Sequence, residues 1–148
     1  MLRPVIVALL LLALLGCREE AKDREVLAEL AGLPIVTVPE GGTELSREEV
    51  PGGGSDAAGI AGASAIRLTY ATDRTPEEVA GWYQREYDAS WRLHANGYAR
   101  HGGAALVGAL ARDEASTVTI EAWEPTTADE APPGSGAVVL VTVARTRD

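Results

Sequence analysis

The chain has 148 residues, of which 46% are hydrophobic and 24% charged, fractions typical of a single folded domain and not of a disordered chain. Its formal charge is −9, and a surface of that sign repels phosphate backbones, so we expect no nucleic-acid partner. The single cysteine excludes both an internal disulfide and a metal site built from several cysteines.

The first 17 residues have the layout of a secretory signal. Arg3 precedes an uninterrupted apolar run from Val5 to Leu15, which is followed by Gly16 and Cys17. This run is too short to span a bilayer, which needs about 20 apolar residues, so we expect residues 1–16 to be a signal peptide that is removed. Arg3 is their only charged residue, so cleavage leaves 12 basic residues against 22 acidic ones, a net charge of −10.

The segment ALLGC, which ends at Cys17, resembles the lipobox of bacterial lipoproteins, in which a small residue precedes an invariant cysteine. The resemblance implies cleavage before Cys17, a diacylglyceryl group on its thiol, and in some cases an acyl chain on the new amine. Leu15 is bulkier than the alanine or serine more usual there. The alternative is an ordinary signal peptide that contains a cysteine. Lipidation predicts an exported protein, anchored to the cell membrane or the outer membrane and facing outside the cytoplasm.

Residues 17–32 comprise Cys17, the predicted lipidation site, and a segment dense in charge. Three apolar residues follow at helical spacing, and Gly32 is placed to end a helix. These three are Val26, Leu27 and Leu30. We expect a short helix that docks on the domain; the alternative is a solvated tether.

Residues 33–148 are predicted to form one α+β domain. The segment TELSREEV could be its first strand, and the glycine-rich residues 51–63 are interpreted as a flexible loop. That loop lacks the pattern and the lysine of a phosphate-binding loop, so we assign it no cofactor.

The segment from Ile66 to Tyr87 predicts a strand followed by the main helix. Apolar Ile66, Leu68 and Tyr70 alternate with polar residues, as in a half-buried strand. Thr75, Pro76 and Glu78 form the capping box that begins a helix, which we expect to reach about Tyr87. Its apolar face is predicted to pack on a sheet and comprises Val79, Trp82, Tyr83 and Tyr87.

The same segment carries a second resemblance. It reads YATDRTPEEVAGWY, which is similar to a unit of small bacterial lipoproteins of unknown function with the pattern Y-x-T-x-x-(S/T)-P-E-E-V-x-x-(W/F)-Y. The resemblance covers this strand and helix only, and it implies a fold with no activity attached.

The remaining chain predicts further strands. Asn96-Gly97 favours a two-residue hairpin turn, and GAALVGALAR either continues or replaces the return strand. TVTIEAW and AVVLVTVAR are two more strands, and the second is apolar on both faces, which is typical of a central strand. We therefore predict an antiparallel sheet of about four to six strands with one main helix packed on one face.

Few residues are candidates for chemistry. The predicted hairpin brings His94 and His101 onto one face, where they could begin a metal site, but Arg92 on that face would repel a cation and no third ligand is evident. We identify no catalytic residue and no cofactor motif. Trp123 falls opposite the apolar face of its strand, and it is our candidate for an exposed binding aromatic.

These observations favour a membrane-anchored envelope lipoprotein that binds a protein or cell-wall partner and is not an enzyme. The alternative is an envelope hydrolase or a metal-binding protein that uses His94 and His101.

Overall fold

A computed structural model describes residues 20–52, 62–97 and 102–146, without the side chain of Glu114. In these residues, six strands form one antiparallel sheet with the order β1-β2-β6-β5-β4-β3. The strands are β1 (Thr43–Val50), β2 (Ala63–Thr72), β3 (His94–Ala95), β4 (Ala104–Leu110), β5 (Asp113–Trp123) and β6 (Ala137–Thr146). The predicted α+β class and antiparallel sheet are confirmed.

The helices lie on one face of this sheet. Helix α1 covers residues 20–31 of the described chain, and helix α2 is Pro76–Trp91. A single 3-10 turn, Pro34–Val36, follows α1. Helix α2 contacts β4, β5 and β6, whereas the 3-10 turn contacts β2 and β6. The two halves of the sheet are therefore covered by different elements.

Helix α2 begins as its sequence predicts. The Thr75 hydroxyl accepts a hydrogen bond from the Glu78 backbone N–H, and the Glu78 carboxylate accepts one from the Thr75 N–H. This confirms the capping box. The helix continues past Tyr87 to Trp91, four residues beyond the predicted end, because no glycine or proline lies between these two residues. Arg92, in the left-handed region with φ 48°, ends it.

The core lies between the helices and the alternating apolar positions of the strands. Ile66, Leu68 and Tyr70 of β2 face it, as predicted. Strand β6 lies between β2 and β5, which confirms its central position. From α2, Val79 and Tyr83 are buried, while Trp82 and Tyr87 are half-buried against the same core.

Helix α1 docks on this core through its apolar stripe. Leu27 and Leu30 are buried, and Val26 is half-buried against them. Asp23, also buried, accepts a hydrogen bond from the Ser64 hydroxyl at the start of β2, at 3.2 Å. Of the two alternatives for this segment, the docked helix is the one observed.

The predicted turn at Asn96-Gly97 continues into residues 98–101, which lie outside the described residues. Among the described residues, His94 pairs with Val107 and Ala95 with Leu106, so the strand that pairs with β3 is β4. This strand belongs to the segment GAALVGALAR, which agrees with the alternative in which that segment replaces the return strand. Strand β4 also supplies Leu106 and Leu110 to the core.

Replacement of Leu30 by alanine tests the docking of α1. Because Leu30 is fully buried in the core, we expect Leu30→Ala to lower the free energy of unfolding by about 2–5 kcal/mol. Urea denaturation of the soluble chain that starts at residue 18 measures this change. The control is Ala28→Ser on the exposed face of the same helix. A loss for Leu30→Ala no larger than that of the control would contradict the docked helix.

Candidate functional site

A groove of about 300 Å³ lies where the link after α1, the end of α2 and the β4–β5 turn meet. This volume is at the lower end of the range for small-molecule pockets, which is about 300–1,000 Å³. Its lining is mainly apolar and aromatic, with one guanidinium group: it includes Leu33, Pro34, Tyr87, Trp91, Leu110 and Arg112. Such a groove can accept an alkyl chain or a small apolar molecule with an anionic end.

Backbone and side-chain hydrogen bonds fix the walls of the groove. The Tyr87 hydroxyl donates to the Pro34 carbonyl at 3.2 Å, which joins α2 to the 3-10 turn. The Ala111 N–H donates to the Ser90 carbonyl at 2.7 Å, which joins the β4–β5 turn to the end of α2. The groove is therefore a preformed feature of the fold.

Gly108 in β4 allows this close approach of α2. A Cβ atom on Gly108 would collide with the backbone carbonyl oxygen of Trp91. Any larger residue would push the end of α2 away from β4 and separate the walls of the groove. No sequence pattern reveals the groove, because its residues come from three separate segments.

An ionic cluster around Arg145 lies at the same end of the sheet. Its Nε donates to the Ser116 hydroxyl at 2.8 Å and lies 3.3 Å from a carboxylate oxygen of Asp113. Its Nη1 pairs with the Glu29 carboxylate of α1. The Arg145 side chain is only 18% exposed, so these groups compensate for its partial removal from water. The cluster fastens α1 to β5 and β6.

The sequence contained a signal for this cluster. Ser64, Ser116 and Arg145 occupy core-facing positions of their strands, and the register aligns them in one row across β2, β6 and β5. Polar side chains at core-facing positions need hydrogen-bond or ionic partners. Helix α1 provides them through the carboxylates of Asp23 and Glu29. Asp113 of β5 completes the cluster through its contacts with Arg145 and Ser116.

Asp113 is held in its ionised form. The Ser116 hydroxyl and the Ala115 N–H donate to its carboxylate, and Arg145 and Arg112 add positive charge nearby, so the pKa of Asp113 is lowered from its ordinary value of 3.8. The Arg145 cluster is therefore charged throughout the neutral range.

Two tyrosines form a buried polar pair in the core. The hydroxyl oxygens of Tyr70 and Tyr83 are 3.0 Å apart and share a hydrogen bond. Burial raises the pKa of Tyr70 to about 12 and that of Tyr83 further still. The pair joins β2 to α2, and both groups stay neutral at ordinary pH.

His94 lies on the sheet face opposite the helices, and its side chain is exposed. It occupies the end of a cross-strand row with Val107, Thr119 and Thr142. His101 lies outside the described residues. Within residues 20–52, 62–97 and 102–146, no group of three or more His, Cys, Asp or Glu residues could hold a metal ion.

The expectation that Trp123 is exposed is wrong. Trp123 lies on the predicted strand face, but only 8% of it is exposed. Its indole N–H donates to the Asp129 carboxylate at 3.2 Å, and the same oxygen accepts a hydrogen bond from the Thr126 N–H at 2.7 Å. The loop after β5 folds back on the ring, which a strand-based pattern does not reveal.

Comparison of the chain with protein-family models, with curated proteins and with solved structures finds no match. In the described part of the chain, no helix is both long enough and apolar enough to cross a membrane.

The pH dependence of stability tests the Arg145 cluster. Because the pKa of Asp113 is lower in the folded chain than in the unfolded one, its contribution is present above about pH 4 and is lost as the pH falls through the lowered pKa. Asp113→Asn should therefore be less stable than the parent at neutral pH, and this difference should shrink toward about pH 2.

Thermal unfolding followed by circular dichroism between these pH values measures the difference in stability. We expect a small difference, because about a third of the Asp113 side chain is exposed and solvent screens its charge. The control is Asp88→Asn, which removes an exposed carboxylate from α2. If the gap between Asp113→Asn and the parent stayed constant with pH, the described role of Asp113 would be refuted.

Proposed function

We propose that this chain is a bacterial envelope lipoprotein, cut before Cys17, anchored by lipid on that residue, and carrying a non-enzymatic binding domain outside the cytoplasm. The observation that carries the proposal is the sole cysteine directly after an apolar run and Gly16. The lipid anchors the chain to the cell membrane or the outer membrane. Because the domain is acidic, attraction to anionic headgroups adds little to the attachment.

The position of the core is consistent with cleavage before Cys17. Among the described residues, the apolar core begins at Leu27, in a helix that follows the cysteine closely. Removal of residues 1–16 therefore leaves these core residues and the α1 contacts in place. The two or three acyl chains of a lipoprotein bury enough methylene groups, at about 0.8 kcal/mol each, to hold the domain durably.

The binding role is supported by the groove between α1, α2 and the β4–β5 turn. It is preformed, mainly apolar and lined by aromatic rings, which is the usual character of a ligand site. An apolar groove with a guanidinium group binds ligands by burial and charge, without a reacting side chain.

Replacement of Cys17 by serine in the native cell tests the anchoring. We expect Cys17→Ser to lose the incorporation of labelled palmitate and to leave the membrane fraction, because serine offers no thiol for the diacylglyceryl group. The matched control is Gly16→Ala, which keeps a small residue before the cysteine and should stay labelled and membrane-bound.

A Cys17→Ser chain that remained in the membrane fraction would contradict the proposal, as would a parent chain that took up no palmitate. Zinc analysis of the purified domain tests the binding role separately. Stoichiometric zinc that disappears in His94→Ala would favour the metal-dependent alternative over it.

A further inference from the structure

The two ends of the sheet differ, and α1 is attached to one of them. We call this the α1 end: β1 and β6 finish there, β2 and β5 start there, and Asp23 of α1 bonds to Ser64. The β4–β5 turn lies at the same end, because Leu110 pairs with Asp113. The groove, which Leu110 and Arg112 line, therefore opens at the α1 end.

The sequence places the anchor close to this end. Cys17 precedes Glu20, the first described residue of α1, by three positions. An extended chain spans at most about 3.6 Å per residue, so the lipidated cysteine is within about 11 Å of Glu20. Asp23 is fastened to Ser64, so a lipid on Cys17 that inserts in a bilayer would hold the α1 end close to the bilayer surface.

The charges of the two ends favour the same orientation. The α1 end carries both signs, since Lys22, Arg24, Arg112 and Arg145 lie there with the acidic residues Glu20, Asp23, Glu25, Glu29 and Asp113. The loops at the opposite end are predominantly acidic, with Glu40, Asp73, Glu124, Asp129 and Glu130 beside the single basic residue Arg74 among the described loop residues. Anionic headgroups repel the acidic loops more strongly than the mixed α1 end.

We propose that the groove takes an acyl chain of a membrane phospholipid, with the Arg112 guanidinium beside the lipid phosphate. This inference rests on the proposed anchoring through Cys17. The acyl chain lies along the groove over Leu33, Trp91 and Leu110, whose apolar side chains take the place of the surrounding bilayer hydrocarbon. The groove is thus a second membrane contact, which orients a domain that the lipid on Cys17 only tethers.

Fluorescence quenching by brominated lipids tests the contact. The full lipidated chain, purified from membranes, is reconstituted in phosphatidylcholine vesicles with bromine on the acyl chains. In the variant Trp82→Phe/Trp123→Phe, Trp91 is the remaining tryptophan. We expect its emission to fall by about half or more relative to vesicles without bromine, because an acyl chain in the groove contacts the ring.

A matched pair of variants tests the groove itself. Ala111→Asp adds a carboxylate to the groove lining and should abolish most of the quenching, whereas Ala128→Asp in the loop after β5 should leave it unchanged. If the double tryptophan variant does not fold, Trp91→Phe in the otherwise intact chain provides the second measurement. It should lose most of the bromine-dependent quenching.

The proposal is overturned if the protein floats with the vesicles and Trp91 is not quenched, or if the two aspartate variants behave alike. Failure of the anchor gives a different result, because a chain without lipid does not float with the vesicles. That outcome refutes the proposed function, and the groove proposal with it.

Discussion

The width of the sheet is the constraint on which the rest of this structure depends. Six strands spaced about 4.8 Å apart form an apolar face about twice as wide as one helix, whose diameter is about 10–12 Å. Helix α2 covers β4, β5 and β6, and the side of β2 is left for α1 and the 3-10 turn. A segment as charged as α1 is therefore part of the fold, because Leu27 and Leu30 complete a core that α2 alone does not cover.

The polar contacts of α1 fix its position on the sheet. Apolar packing tolerates a rotation or shift of a helix, whereas hydrogen-bonded charges define one arrangement. Asp23 contacts β2 and Glu29 contacts β6, so both ends of α1 are fastened. Arg145 is bonded also to Ser116 and Asp113, so displacement of α1 would leave its partly buried charge with fewer partners.

Local signals in the sequence predicted the elements that depend on local physics. The capping box at Thr75 and the alternation of apolar and polar residues around Leu68 could be predicted, because each depends only on residues close in the sequence. The apolar run of β6 predicted its central position for the same reason. The end of α2 was missed because Arg92, which adopts the left-handed conformation there, is not one of the usual helix-ending residues.

Features that depend on segments far apart in the chain could not be predicted from the sequence. The sequence left two alternatives for the strand that pairs with His94, because its pairing with Val107 depends on which strand fills the core. Trp123 is covered by a loop whose path depends on Asp129. The groove is formed by three segments, and it requires glycine at position 108 because a Cβ atom there would collide with the end of α2. The strand directions add a last consequence: β2 and β6 each have ten residues, so the acidic loops lie about 33 Å from the α1 end. The groove and these loops are therefore at opposite ends of one sheet, and a substitution at one end does not touch the residues of the other.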